Sequence, residues 1–183
     1  MLVRWRPLLG RYETFFAASA GASAAILGLL VVAVSVVNAD DDDAKTRERR
    51  TVLAGSAFLA LVDAFFVSIV ALTAGAAVFG TASLVMAIVG LVSTSRLARR
   101  AKRAGNFSRG FPTRRLNLVF VSISIGGYSI QLGLAIALLV DVQSSALQRA
   151  LVLVIVGLFA SAIGRAWEVT GIQRRRIPEA TDR

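Results

Sequence analysis

Apolar residues run along this chain in blocks about one membrane thickness long, separated by short charged segments. A hydrocarbon core about 30 Å thick takes roughly 20 helical residues to cross. Five stretches reach that length, at about residues 14–37, 51–72, 76–95, 116–140 and 146–169. The second and third share one window, Thr51 to Ser95. As a single helix that window would extend about 68 Å at the standard rise. It must therefore fold as a hairpin, and Thr73-Ala74-Gly75 is where it divides. The expected fold is an all-α integral membrane bundle of five transmembrane helices. The alternative has four spans, with the small-residue run Ala17–Ala25 re-entrant.

The flanking segments read differently. In residues 1–13, Trp5, Leu8, Leu9 and Tyr12 share a helical face with Phe16. Arg4 and Arg11 flank that face on one side, Arg6 and Glu13 on the other. Such an amphipathic segment can lie among lipid headgroups. Residues 14–171 form the transmembrane domain, and 172–183 a basic tail. Ser145-Ala146-Leu147-Gln148 fits a capping box that opens the fifth helix. Gly105-Asn106 ends a helical extension of the third, and Pro112 precedes the fourth. Val37-Asn38-Ala39 resembles a signal-cleavage site, but the apolar stretch before it is longer than a signal core.

Charge fixes an orientation. The net charge is +10 in a chain that is 56% hydrophobic, so the charges must be segregated from the apolar blocks. A nucleic-acid binder would instead spread its basic residues over a folded surface. With five spans, one side collects the segment Lys45–Arg50, the segment Arg96–Arg115 and the C-terminal end, holding seventeen of the 21 basic residues. The other side holds Arg4, Arg6, Arg11 and Arg149. Basic segments stay in the cytoplasm. That places the N-terminus outside and the C-terminus inside, in the plasma (inner) membrane. Nineteen Arg against two Lys, among many Ala, Val and Gly, points to a GC-rich bacterial source.

Missing residue types narrow the chemistry. Without Cys there is no disulfide, iron–sulfur cluster or thiolate nucleophile. Without His the zinc-protease helix and the commonest general base are gone. No cofactor is expected. The run Asp40–Asp43 lacks the alternating spacing and turn glycine of a calcium loop, so it reads as a solvated acidic stretch.

Asp63 stands apart, in the middle of the second span. A carboxylate at that depth costs about 2.5–3.5 kcal/mol on insertion scales, and such residues usually face the bundle interior or a wet cavity. It is a candidate proton or cation site, or else a buried acid hydrogen-bonded to a neighbouring helix. The fourth span offers partners, since Ser124, Tyr128 and Gln131 share a face, with Tyr128 and Gln131 near the midplane. Small-residue faces at Ser122, Gly126, Ser129 and Gly133, and at Gly80, Ser83, Ala87 and Gly90, suit close helix packing. In the fifth span Arg165 is placed to pair with Glu168 and to snorkel outward. Reaching inward as a counter-charge for Asp63 is its less expected role. Arg96, Arg99, Arg100 and Arg103 form a stripe suited to anionic headgroups, where each basic residue contributes about 1 kcal/mol.

From these residues the leading expectation is a non-enzymatic membrane protein that packs with copies of itself or with a membrane-protein partner. The alternative is a small proton- or cation-linked transporter or channel using Asp63. A lone central charge and the lack of an inverted repeat weigh against the latter. Paired-aspartate catalysis has no second carboxylate at matching depth. The partners expected are the lipid bilayer and its anionic headgroups, with no nucleic acid.

Overall fold

The computed structural model describes residues 12–37, 44–103 and 113–174. Within them lie five helices: α1 (Glu13–Val37), α2 (Ala44–Thr73), α3 (Ala76–Arg103), α4 (Thr113–Val140) and α5 (Ser145–Arg174). Each contains a stretch long and apolar enough to cross a membrane. The chain is thus an all-α, multi-pass membrane bundle. α1 runs unbroken for 25 residues, which overturns the re-entrant alternative: a small-residue run stays helical when nothing inside it breaks the hydrogen-bond ladder. The amphipathic segment before Tyr12, the run Asp40–Asp43 and Gly105-Asn106 lie outside the described residues.

Charged segments read as loops turn out to prolong helices. α2 begins at Ala44 and so includes Lys45–Arg50, and α3 carries Arg96, Arg99, Arg100 and Arg103 to its end. The hairpin divides where the sequence indicated. The Thr73 hydroxyl donates back to the Ile69 carbonyl at 2.9 Å. The Gly75 carbonyl then accepts from Phe79 N at 3.0 Å and starts α3. The capping box of α5 is corrected by one residue. Ser144, not Ser145, caps the helix: its Oγ accepts from Leu147 N at 3.5 Å, and its carbonyl accepts from Gln148 N at 3.2 Å. The Gln148 amide donates to the Val142 carbonyl at 3.2 Å instead of returning to a cap residue.

α2 packs against α1, α3 and α5, while α4 packs against α3 and α5. The helices α2, α3, α4 and α5 therefore close a ring in which α2 and α4 face each other diagonally. α1 lies outside the ring, mainly against α2. Two apolar clusters hold the assembly. One joins Phe16, Val67, Ala71, Phe79, Leu138 and Leu151, which come from the starts of α1, α3 and α5 and the ends of α2 and α4. That composition requires the helices to alternate in direction. The Phe16 and Phe79 rings meet edge to face at 5.8 Å. The second cluster joins Leu30, Leu53, Ala57, Leu61 and Ala162 at the opposite end.

Large apolar side chains cover the outside, among them Leu29, Val140, Leu153 and Trp167. On a soluble protein such a surface would aggregate, whereas against lipid tails it is the stable arrangement. The small-residue faces divide in two. Gly80, Ser83, Ala87 and Gly90 of α3 are turned toward α4; a Cβ at Gly80 would lie 3.2 Å from Leu139, and Ser83 and Ala87 are fully buried. Gly126 and Gly133 of α4 and Gly157 of α5 have no atom within 4 Å of an added Cβ. The tight glycine on α4 is Gly127, whose Cβ would fall 2.6 Å from Leu158.

Candidate intramembrane polar site

The ring of four helices encloses polar side chains at its centre. Asp63 of α2, Ser83 of α3, Tyr128 and Gln131 of α4 and Arg165 of α5 are all at most 1% exposed. Helical geometry puts Ser124, Tyr128 and Gln131 on one face, since residues three and four apart stack on adjacent turns. That face of α4 looks across the ring at α2.

Gln131 makes the central contact. Its Nε2 donates to Asp63 Oδ1 at 3.0 Å and to the Ser83 backbone carbonyl at 3.4 Å. A carbonyl only accepts, so this second contact fixes which end of the amide points inward. One side chain thereby ties α4 to both α2 and α3. Tyr128 sits one turn away, packed so closely on α3 that a Cβ at Gly90 would overlap its ring. Glycine is required there by the approach of the ring.

Arg165 departs from expectation. It does not snorkel: it is buried, donating from Nη1 to Ser124 Oγ at 2.9 Å. Its Nε and Nη2 donate to the Ser161 carbonyl at 3.0 Å and to Ser161 Oγ at 2.8 Å. The fork is held by two serines, one of them on the neighbouring helix. Arg165 makes no direct ion pair with Asp63. Tyr128 lies within electrostatic reach of both. The Glu168 side chain lies outside the described residues, as do those of Arg100 and Arg103. Arg96 and Arg99 are exposed toward the end of α3, away from this cluster.

Among the described residues, six buried side-chain atoms have no hydrogen-bond partner: Ser23 Oγ, Asp63 Oδ2, Ser68 Oγ, Ser83 Oγ, Tyr128 Oη and Gln131 Oε1. A serine or threonine in a helix can bond its own preceding turn. Ser35, Ser56, Thr81 and Ser161 do so at 2.8–2.9 Å. Ser83 does not, although it is fully buried. Each unpaired buried group costs about 1–3 kcal/mol, so a group of them calls for water, a proton or an ion.

Pattern reading singled out Asp63, Tyr128 and Gln131, and the fold brings these three together. It missed the Ser83 carbonyl and ranked the inward reach of Arg165 behind snorkelling. A signal for the latter was present: Ser161 stands one turn before Arg165, on the face where a guanidinium can fold back. No family model matches the chain, and no curated protein or solved structure is significantly similar to it.

Proposed function

We propose that this chain is a small, non-enzymatic protein of the plasma membrane that exchanges a proton or small cation at Asp63. One observation carries the reading: a fully buried carboxylate at mid-span has one oxygen bonded and one unpaired, among further unpaired polar atoms from α3 and α4. Ionisable groups inside a bundle usually mark an ion or proton route. Tyr128 and Gln131 line the site. Arg165 stands toward the cytoplasm in the orientation argued from the basic segments, with the N-terminus outside. In that orientation the Phe16–Phe79 cluster closes the outer side.

This reverses the order of the two accounts drawn from the sequence. Part of the support for a packing protein is used up within the chain, because the small-residue face of α3 receives α4. A second reading is self-association through α4, where Gly126 and Gly133 stay open to the outside. Arg96 and Arg99, exposed in line with the sequence positions Arg100 and Arg103, suit anionic headgroups on the cytoplasmic leaflet. Ion flux across sealed vesicles, compared between wild type and Asp63→Asn, tests the proposal.

A further inference from the structure

Two of the unpaired atoms belong to side chains that are already bonded to each other. The Asp63–Gln131 bond joins one oxygen of a carboxyl group to the nitrogen of a primary amide. That leaves the other carboxyl oxygen, Oδ2, and the amide oxygen, Oε1, as the free halves of the same two planar groups, both buried and unpartnered. Both are pure acceptors as they stand, so neither can satisfy the other. The amide cannot turn over to relieve this, because its nitrogen also faces the Ser83 carbonyl.

We propose that the ligand of this site is a proton, held on Asp63 Oδ2 and donated to Gln131 Oε1, so that acid and amide close a cyclic pair across the bundle axis. This rests on the reading of Asp63 as the exchanging group, and it names what is exchanged. Uptake forms the Oδ2–H bond. Release returns that proton to water, leaves a carboxylate, and restores two acceptors with no donor between them. One proton satisfies both orphaned atoms, whereas a metal ion would need several more oxygens around it. Gln131 is thus a proton-sharing residue as well as a tie between helices. Among the described residues, the buried groups able to carry charge beside Asp63 are Tyr128 of α4 and Arg165 of α5. α3 contributes the Ser83 hydroxyl and carbonyl.

Infrared difference spectra of the full-length protein in liposomes, recorded between acidic and alkaline buffer, test this. The wild type should show the carbonyl band of a protonated carboxyl group that shifts in D2O and does not change when sodium replaces potassium. The band should vanish in Asp63→Asn and move in Gln131→Met, which keeps the length of the side chain but removes the amide. Carboxylate bands that respond to sodium, with no protonated band in the wild type, would replace the proton by a metal cation and leave ion exchange at Asp63 intact. A protonated band unmoved in Gln131→Met would overturn the shared proton. A protonated band seen in the absolute spectra, absent from Asp63→Asn and moved in Gln131→Met, that neither titrates nor shifts in D2O would support the pair and overturn exchange.

Discussion

Gln131 Nε2 donates to Asp63 Oδ1 at 3.0 Å across the diagonal of the four-helix ring, so α2 and α4 meet through polar side chains. The bond determines how each substitution at Asp63 should behave. Asparagine keeps an oxygen for the Gln131 nitrogen and adds an N–H that can reach Gln131 Oε1. Asp63→Asn should be at least as stable as wild type. Asp63→Leu takes the carboxyl group away from the amide, leaving it the Ser83 carbonyl, and should cost about 1–3 kcal/mol. Thermal unfolding in detergent compares them, and an unstable Asn variant would contradict the pairing geometry.

The contact between Gly90 and Tyr128 separates the two kinds of glycine in this protein. Any Cβ at Gly90 meets the Tyr128 ring, so Gly90→Ala should destabilise by about 1–3 kcal/mol through overpacking. An added Cβ at Gly126 meets nothing, and Gly126→Leu should leave the monomer as stable as before. A loss of detergent-resolved mass in Gly126→Leu alone would support the self-association reading. Equal stability of the Gly90 variant would mean that the ring does not rest where it is placed.

Arg165 provides a test of geometry independent of charge. Lysine keeps the charge but cannot reproduce a planar fork that reaches Ser124 and both acceptors of Ser161. Arg165→Lys should lose about 2 kcal/mol, since hydrogen bonds from charged groups are among the stronger ones. A shift in the thermal midpoint measures it. An unchanged midpoint would indicate that the guanidinium contacts contribute little.

How much of this was legible in the sequence follows from what each feature depends on. The five spans and their hairpin divide depend on local apolar content and length, which the sequence displays directly. So does the face shared by Tyr128 and Gln131, because helical periodicity alone creates it. Arg165 was misplaced because snorkelling or turning inward depends on what the neighbouring helix offers, here Ser124. The face of α3 that packs and the face of α4 that stays open carry the same small-residue pattern. Only the ring order distinguishes them. The cap moved from Ser145 to Ser144 for a similar reason: two adjacent serines offer the same chemistry, and the turn geometry selects one.

Topology can be checked without removing any native thiol, since the chain has no Cys. Ser108→Cys should react with an impermeant reagent only after the cytoplasmic side is opened. Ser144→Cys, between α4 and α5, should react in intact cells. Labelling of the Ser108 variant from outside would invert the orientation argued from the basic segments.

The central claim is that Asp63 exchanges an ion, and flux in sealed proteoliposomes addresses it most directly. Wild-type protein should dissipate an imposed pH gradient faster than empty vesicles. The stable Asp63→Asn variant should not, although it inserts and unfolds like the wild type, because an amide satisfies the same partners without taking up a proton. Proton flux that persists undiminished in the Asn variant would contradict the account, and Asp63 would then be a structural link between α2 and α4.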